Sequence, residues 1–425
     1  MRGEIVTIGN ELICGLVTDT NSPYIAERLM SLGVEPLFIT SVGDDEWAIE
    51  DALLRAIGRA EIVIVTGGLG PTPDDITSRA AAKSMGKRLM LSPEALEHIK
   101  KRYKRRGINP DSHAERQALI PQGARIIINP VGTAPGFYMS HKGKHLFFIP
   151  GVPKEMKVIM DQGVLPIIAD EIPQDVFSAR KVLKIFGLSE SQVYEKVKDV
   201  RYDTERVKLG FLPVFPENHL SITVRTNSSV ADAQKILDNV EESMRDALGD
   251  AVFGEDEDTL EKVVARLLKS KEKTIAVAES LTGGLLAERL TNIPGSSNYF
   301  ERGIVTYSDE SKVSLLGVDK KLISDFGAVS AEVAEAMAIG IKRISGTDIG
   351  VSTTGIAGPG GGSDKKPVGT VFIALAYDDG GKVSVKSHRY GFFGDRDRIR
   401  QISSEMGLEW IRRYFIDEGE KENVN

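Results

Sequence analysis

Ser280 is the residue in the last third of the chain whose type and position best suit nucleophilic chemistry. It lies in TIAVAESLTGGLLAERL, residues 274 to 290, where an alternating apolar run typical of a strand is followed by a helical pattern. A serine at such a turn is exposed, and the N-terminus of the helix can stabilise negative charge that develops beside it. The same position also suits a serine that only caps the helix. The residues alone leave both roles open.

A nucleophilic serine needs a base, and this part of the chain offers a lysine more readily than a histidine. His388 is the one histidine in residues 258–418, and no acidic partner lies near it in the sequence, so a Ser-His-Asp triad is poorly supported. In GIVTYSDESKVSLLG, Tyr307 ends a predicted strand and Lys312 lies in the first turn of the next helix. Burial and the positive end of the helix dipole would both lower the pKa of this lysine. On spacing alone, a solvent-exposed surface lysine is the simpler interpretation.

A glycine-rich turn in the first third of the chain suits phosphate binding. EIVIVTGGLGPTPDDITSRAA places Gly67, Gly68, Gly70 and Thr72 between a buried strand and a helix. Glycines let the backbone approach a phosphate closely, and the helix N-terminus supplies free N–H groups.

Acidic residues follow three neighbouring strands of the same region. They are Glu11, Asp44, Asp45, Asp74 and Asp75. In an open α/β sheet these strand ends meet at one crevice, and carboxylates beside a phosphate suit Mg²⁺ or Mn²⁺. The sequence therefore predicts a metal-assisted phosphate site, with simple helix capping by the aspartates as the alternative.

The elements that must position these residues fall into three predicted domains, 1–170, 174–253 and 258–418. Residues 1 to about 168 alternate strand and helix patterns, which predicts a parallel sheet with helices on both faces. The middle segment reads as a small α+β unit. The last segment again mixes helices and strands, so the fold class is α/β with a small α+β insertion.

Composition excludes several classes of protein. The chain has 425 residues, a net charge of −7 and one cysteine, which argues against broad nucleic-acid binding, intrachain disulfides and cysteine-cluster metal sites. No apolar run approaches the roughly 20 residues of a membrane span. Because MRGEIVTIGNEL begins at once with a strand pattern, no signal peptide is expected. These features predict a cytoplasmic protein without membrane or nucleic-acid partners.

The first segment resembles the N-terminal domain of the CinA family. The resemblance rests on IGNEL, DTNSPYIAERL, TGGLGPTPDDIT, NPVGTAPGF and PGVPKEM, which occur in order. It implies the three-layer molybdopterin-binding fold and cleavage of ADP-ribose to AMP and ribose 5-phosphate with a divalent metal (Mg²⁺, Mn²⁺ or Co²⁺). Asp44 and Asp75 match the functional aspartates of related molybdopterin enzymes. Asp74, Glu11 and Asn21 lie in matching motifs, and their roles are inferred from their chemistry.

The last segment resembles the C-terminal CinA domain, which is similar to stand-alone nicotinamide mononucleotide amidohydrolases. The motifs are AESLTGG, PGSSNYFERGIVTYSDESK, GAVSAEVA, STTGIAGPGGG and KPVGTVFIAL. The resemblance implies hydrolysis to nicotinate mononucleotide and ammonia without a cofactor, with Ser280 as nucleophile, Lys312 as base and Tyr307 assisting. The other residues that we expect to bind substrate are Thr282, Gly283 and Gly284 through backbone N–H groups, Ser297 and Thr354 lining the site, and Gly358, Arg396 and Arg400 near the phosphate.

One residue departs from the family pattern. Many members carry cysteine after the serine, as AESCTGG, whereas this chain has Leu281. A mechanism with the cysteine as nucleophile would make this protein inactive, whereas the serine mechanism does not need that residue. The resemblance further implies a homodimer and a KH-like middle domain, whose GFLP lacks the GxxG loop of RNA-binding KH domains. The alternative function is a non-enzymatic module that binds nucleotide or molybdopterin in competence or DNA-damage responses.

Overall fold

The computed structural model describes residues 1–105, 107, 115–173 and 176–423, with side chains described as far as Asp417. The predicted start of the middle domain, residue 174, lies outside the described residues. The chain divides into two units, and the middle segment contributes to both. The first unit comprises Met1–Lys181, Arg201–Leu209 and Ile222–Glu242, and the second Val182–Val200, Gly210–Ser221 and Ser243–Asn425.

The N-terminal part contains a six-stranded sheet in the order β2-β1-β3-β8-β7-β6. Its strands, with the short pair β4 and β5, are β1 (Arg2–Ile8), β2 (Glu35–Val42), β3 (Ile62–Thr66), β4 (Leu89–Leu91), β5 (Leu119–Pro121), β6 (Arg125–Ile127), β7 (Gly136–His141) and β8 (Lys144–Ile149). The first four strands of the sheet order run parallel, as predicted. β7 and β6 add an antiparallel edge that the sequence did not indicate, closed by a turn in which Lys142 and Gly143 both have positive φ.

Helices cover both faces of this sheet because successive strand residues point to opposite sides. In β1, Val6 packs in one apolar core and Ile5 in the other. The helices are α1 (Asn10–Ile13), α2 (Asn21–Ser31), α3 (Glu46–Arg59), α4 (Thr77–Ser84), α5 (Pro93–Arg105), α6 (Pro153–Ile159) and α7 (Leu165–Glu171), the last two joined by a π-helical turn at Met160–Val164. The three-layer α/β fold expected for this part is confirmed.

The middle segment forms a four-stranded sheet in the order β10-β11-β9-β12. Its elements are β9 (Phe177–Ile185), α8 (Glu190–Val197), β10 (Val207–Val214), β11 (Glu217–Thr226), α9 (Val230–Leu248) and β12 (Val252–Glu255). Helix α8 begins with a capping box in which Ser189 and Gln192 bond each other's backbone N–H. The predicted α+β character is confirmed.

The C-terminal part contains a five-stranded sheet in the order β14-β13-β15-β16-β17. Its strands are β13 (Ile275–Glu279), β14 (Phe300–Val305), β15 (Ile349–Gly355), β16 (Thr370–Asp379) and β17 (Lys382–Gly391). Its helices are α10 (Leu260–Ser270), α11 (Leu285–Thr291), α12 (Asp309–Leu316), α13 (Lys320–Phe326), α14 (Ala331–Ser345) and α15 (Arg396–Asn423). Strand β13 lies between β14 and β15 and runs parallel to both.

The alternation of β13 sets the two layers around this sheet. Ile275 and Val277 pack with α10, α11 and α15, whereas Ala276 and Ala278 pack with α12, α13 and α14. The larger side chains thus face three helices and the alanines leave room for close packing on the other face. Among the described residues, no helix is both long and apolar enough to cross a membrane.

Candidate functional site

The C-terminal candidate site lies where three parallel strands end. Glu279, the last residue of β13, pairs with Val305 of β14 and Thr353 of β15. Ser280 follows immediately, and its backbone N–H donates to the Thr353 carbonyl at 2.9 Å. The register therefore places Ser280 between Thr306, which follows β14, and Thr354 of β15.

Glu279, and not Ser280, caps helix α11. Its side chain is 1% exposed and accepts hydrogen bonds from the backbone N–H groups of Gly284 (2.9 Å), Leu286 (3.2 Å) and Ala287 (2.8 Å). These are N–H groups that a helix start leaves without an intrahelical acceptor. Sequence reasoning missed this role, although a glutamate directly before a glycine turn and a helix was the available signal.

Ser280 therefore has no role in capping helix α11. The residue is 9% exposed, and within the described part of the chain its hydroxyl has no hydrogen-bond partner. Its carbonyl accepts from Gly283 N–H at 3.1 Å, which closes the turn. A serine hydroxyl held in a rigid turn without a structural partner is free for another role.

The same turn decides which backbone N–H groups remain free. Those of Gly283 and Gly284 are already bonded, to the Ser280 carbonyl and the Glu279 carboxylate. In the described structure the N–H groups of Leu281 and Thr282 have no acceptor. The Thr282 side chain is fully buried and bonds Thr353 Oγ1 at 2.7 Å. Of the three residues predicted to bind through N–H groups, only Thr282 keeps its backbone donor, because folding of the turn uses the other two.

Lys312 is buried at the same end of the sheet. It is 1% exposed, so it is not a solvent-exposed surface lysine. Its Nζ donates to the carbonyl oxygens of Thr306 (2.9 Å) and Tyr307 (3.3 Å), and no carboxylate among the described residues pairs with it. Burial lowers its pKa from 10.5, while Asp309 acts weakly in the opposite direction. Lys312 lies on α12, and its amine contacts the backbone just after β14, where Thr306 N–H donates to the Glu279 carbonyl at 2.8 Å, directly before Ser280.

The two predicted arginines hold the loops around this turn. Arg400 Nε donates to the Leu281 carbonyl at 3.2 Å and its Nη2 donates to the Thr282 carbonyl at 3.0 Å. Arg396 donates from Nη1 to the Gly358 carbonyl at 2.8 Å and from Nη2 to the Tyr307 hydroxyl at 2.9 Å. The structure thus brings Tyr307, Gly358 and both arginines together at the Ser280 turn.

Thr354 and Ser297, the two residues predicted to line the site, lie at opposite ends of the strands of the sheet. Thr354 follows Thr353 on β15 and is buried, with its hydroxyl donating to the Ala328 carbonyl at 2.9 Å. Ser297 lies in a short 3₁₀ turn, Ser296–Asn298, before β14 begins. Because β14 is parallel to β13, its start lies at the N-terminal ends of the strands, whereas Ser280 lies at their C-terminal ends. The expectation that Ser297 lines this site is therefore wrong within the chain, because motif position does not reveal strand direction.

The N-terminal candidate site is a cavity of about 500 Å³ at the carboxyl ends of β1, β3 and β8. The predicted residues that line it are Gly67, Gly68, Gly70, Glu11, Asp44 and Asp74. Gly67 and Gly68 have φ of 111° and 65°, and a Cβ on Gly67 would lie 2.1 Å from the Ile8 carbonyl oxygen. Only glycine permits this close approach of the turn to β1.

Thr72 and Asp75 brace the loop instead of lining the cavity. Asp75 accepts from the Thr72 N–H at 2.8 Å and from its hydroxyl at 2.5 Å. Helix α4 has no side-chain cap, so the capping interpretation of Asp74 and Asp75 is wrong. Asp45 does cap a helix, since it accepts from Ala48 N–H at the start of α3.

Asp44 is the carboxylate most affected by the cavity. It accepts from the Asn10 N–H at 2.8 Å, and its own N–H donates to the Asn10 side chain at 3.1 Å. Burial raises its pKa above 3.8, and the neighbouring carboxylates of Glu11, Asp74 and Asp75 raise it further, against the effect of the Asn10 bond. Negative charge therefore accumulates at this edge of the cavity.

The described residues form no group of three or more His, Cys, Asp or Glu side chains placed to hold a metal ion. A metal centre made of protein ligands alone does not fit these residues. The hard carboxylate oxygens around Asp44 fit instead a cation that takes its remaining ligands from substrate phosphates and water, as Mg²⁺ commonly does.

Two buried amides add a feature that the motifs did not predict. Asn21 Nδ2 donates to the Gly151 carbonyl at 2.7 Å, and Gln117 Nε2 reaches the Leu69 carbonyl at 3.5 Å. Both residues line the cavity, and their side-chain oxygens are buried without a hydrogen-bond donor. Gln117 lies in none of the motifs described above, so its position at the cavity could not be predicted from the sequence. Unpaired buried acceptors are costly, and donor groups of a ligand would satisfy them.

Fold and sites together define a multidomain α/β protein in which each large sheet carries polar residues at the carboxyl ends of its parallel strands. Three family profiles match the chain: a probable molybdopterin binding domain over residues 4–170, the damage-inducible protein CinA KH domain over 180–254, and the CinA C-terminal domain over 257–415.

Full-length relatives give the same result. The chain is 44% identical over 416 residues to a CinA-like protein of Geotalea uraniireducens and, equally, to one of Syntrophus aciditrophicus, each match covering 98% of both chains. A crystal structure of CinA from Thermoplasma acidophilum is 37% identical and covers 38% of this chain and 94% of that one, with a TM-score of 0.36. The chain belongs to the CinA family.

Proposed function

We propose that this protein is a hydrolase of pyridine-nucleotide salvage with two active sites. The C-terminal site converts nicotinamide mononucleotide to nicotinate mononucleotide and ammonia. The N-terminal site cleaves ADP-ribose to AMP and ribose 5-phosphate with the help of a divalent cation. The proposal includes a cytoplasmic location and a homodimer. Light scattering on the purified protein, which measures its molar mass, tests the dimer.

The burial of Lys312 carries the C-terminal proposal. A lysine that is 1% exposed and bonded only to backbone carbonyls is costly for stability unless its neutral form is used. Such a neutral amine is a competent general base. Its amine bonds the carbonyl of Thr306, whose N–H bonds the Glu279 carbonyl directly before Ser280, and this position supports a serine–lysine pair.

The reaction then follows the chemistry of amide hydrolysis. The Ser280 hydroxyl attacks the carboxamide carbon as its proton passes to the Lys312 amine, and the N–H groups of Leu281 and Thr282 stabilise the oxyanion. The lysine returns the proton to the leaving nitrogen, which departs as ammonia and leaves an ester on Ser280. Water then hydrolyses the ester to the nicotinate product and restores the serine. Tyr307 and Arg396 lie beside the turn, where they can contact the substrate phosphate.

Ammonia release from nicotinamide mononucleotide tests this assignment. Ser280→Ala and Lys312→Met should each lower the rate by at least about a thousandfold, since they remove the nucleophile and the base. Lys320→Met is the matched control, because that lysine is 72% exposed and should not affect the rate. Undiminished release from both site variants would exclude the assignment.

The N-terminal proposal is supported by the cavity and its unpaired groups. Its volume of about 500 Å³ suits a nucleotide-sized ligand. The glycine turn and the positive dipole end of α4 suit a phosphate, although the Thr77 and Arg79 N–H groups already bond backbone carbonyls, while Asn21 and Gln117 offer acceptors to hydroxyl or amino groups. A bound cation would neutralise phosphate charge, and Asp44 would hold it together with phosphate and water ligands, with Glu11, Asp74 and Asp75 as the neighbouring carboxylates.

AMP formation from ADP-ribose with Mg²⁺, Mn²⁺ or Co²⁺ tests this half. Asp44→Asn should weaken cation-dependent cleavage strongly, whereas Asp51→Asn, at a partly exposed aspartate that pairs with Arg55 on α3, should not. If the chain forms neither AMP nor ammonia, the enzymatic proposal fails and a non-enzymatic module that binds nucleotide or molybdopterin is the remaining function.

A further inference from the structure

A second cavity in the C-terminal part lies away from both candidate sites. It has a volume of about 390 Å³, within the range of small-molecule sites. Its walls come from the loop after β9, the outer strands β16 and β17, and the second half of α15. On α15 it begins at Met406, six residues beyond Arg400, which corresponds to about 9 Å along a helix.

Aromatic rings dominate the wall of this cavity. Tyr377, Tyr390, Trp410 and Tyr414 all line it, together with Phe186 at the end of β9. Tyr377 and Tyr414 lie with ring centroids 5.1 Å apart. Such rings offer flat faces on which another planar ring stacks favourably, whatever its substituents.

The charged residues at this cavity balance one another. Lys386 lies 3.6 Å from Asp417, and Arg413 bonds Glu409 at 2.7 Å. All four line the cavity, so its formal charge is zero and neither cation is left to attract a phosphate. The lining therefore favours a neutral ligand over a nucleotide.

Tyr390 supplies a polar anchor. Its hydroxyl accepts a hydrogen bond from Trp410 Nε1 at 2.7 Å, so its own proton remains to be donated, and within the described structure no acceptor takes it. Burial raises the pKa of this phenol above 10, which keeps the proton in place. A ring nitrogen or a carbonyl oxygen of a ligand would fit this donor.

We propose that this cavity binds a neutral planar aromatic heterocycle that carries a hydrogen-bond acceptor, of the purine or pyridine type. The site is separate from the two active sites and does not depend on their activities. It is joined to the Ser280 turn by packing, because Tyr390, Met406 and Trp410 contact the apolar cluster that contains Leu281. A ligand here would contact the side chains that hold Leu281 in place.

Trp410 gives a direct readout, since the chain has two tryptophans and the other, Trp47, is 74% exposed in the N-terminal part. In a Trp47→Phe background, titration with adenosine or with nicotinamide should quench Trp410 saturably, with half-saturation below about 1 mM for the tighter of the two rings. The two titrations distinguish a purine from a pyridine ligand. AMP should bind no more tightly than adenosine because no free cation faces the cavity.

Two variants keep the test specific. Ala251 lies on the wall and is 9% exposed, so Ala251→Leu should fill the cavity and abolish the saturable change. Tyr390→Phe removes the phenol donor, together with the acceptor of Trp410 Nε1, and should weaken binding by about fivefold, with quenching measured relative to its own unliganded fluorescence. The proposal is overturned if neither ring gives a saturable change, if Ala251→Leu binds as well as its parent, or if AMP binds more tightly than adenosine.

Discussion

Replacing Glu279 with glutamine tests which residue caps helix α11 and which is left for chemistry. The carboxylate accepts from three backbone N–H groups and is 1% exposed, so water cannot replace it. A glutamine has one acceptor oxygen, and its NH₂ group must then face at least one of these donors. An N–H left without an acceptor costs about 1–3 kcal/mol, and losing negative charge at the helix start adds up to about 1 kcal/mol.

Hydrogen exchange measures this loss where it occurs. Opening of the α11 start should become easier by about 1–4 kcal/mol, so the amides of Gly284, Leu286 and Ala287 should exchange roughly 5 to 1,000 times faster in Glu279→Gln. Glu288→Gln is the matched control, because Glu288 is an exposed residue of the same helix. Its exchange should stay at the wild-type rate.

Ser280→Ala completes the comparison. If Ser280 capped the helix, its loss would cost about 0.5–2 kcal/mol and would accelerate exchange of the same amides. With Glu279 as the cap, Ser280→Ala should leave their exchange unchanged while it abolishes ammonia release. Faster exchange in Ser280→Ala together with normal exchange in Glu279→Gln would refute the reasoning.

Three further perturbations follow from burial in the same part of the chain. Burial lowers the pKa of Lys312 below 10.5, so between its folded-state and unfolded-state pKa values the folded protein binds fewer protons than the unfolded chain. The free energy of unfolding should therefore rise with pH through that window, and urea unfolding of Lys312→Met should lose this rise. Deamidation by the wild type should likewise increase with pH up to an inflection below 10.5, because the neutral amine acts as base. Burial raises the pKa of Glu405 to about 7 from 4.5, against the opposing effect of Arg289; stability should therefore fall as pH rises from about 4.5 to 7, and unfolding of Glu405→Gln should lose that fall. Leu281→Cys, which introduces the residue common in the family, should keep the wild-type deamidation rate. The new thiol should resist alkylation because Leu281 is 3% exposed, and the smaller side chain should lower the free energy of unfolding by about 1–3 kcal/mol. A large gain in rate would show that the cysteine contributes to catalysis.

The sequence predicted the elements of the C-terminal site better than the bonds within it. Alternation in TIAVAES predicted β13, and the glycines predicted a turn, so Ser280 could be placed at a strand end. It could not be foreseen that Glu279 caps the helix, because a carboxylate at the end of a strand reaches either solvent or the next helix depending on tertiary packing. Lys312 was ambiguous for the same reason, since helical spacing does not show whether this side of α12 faces the sheet or the solvent.

The errors have a similar origin. Ser297 belongs to a motif close to the site residues in sequence, but the parallel direction of β14 carries it to the far edge of the sheet. Asp75 looked like a helix cap, and it instead bonds Thr72 within its own loop. Both cases depend on strand direction and on competition among local hydrogen-bond donors, which residue spacing does not encode.

The two glycine turns look alike in sequence and differ in electrostatics. The turn at Gly67 leads into a helix whose start has no side-chain cap; the Thr77 and Arg79 N–H groups bond backbone carbonyls, but no capping carboxylate opposes the positive dipole end, which therefore favours an anion. The turn at Gly283 leads into a helix whose first N–H groups are already bonded, three of them by the buried Glu279 carboxylate. A phosphate at this helix start would meet that negative charge, and the free N–H groups of the turn, those of Leu281 and Thr282, are the ones proposed for the oxyanion. A substrate phosphate in the C-terminal site must therefore bind elsewhere, and the loop at Gly358 with Arg396 is the cationic position beside the turn. Under the proposed function, the Glu279 carboxylate that leaves Ser280 free to attack would thus also determine the direction in which the nucleotide lies.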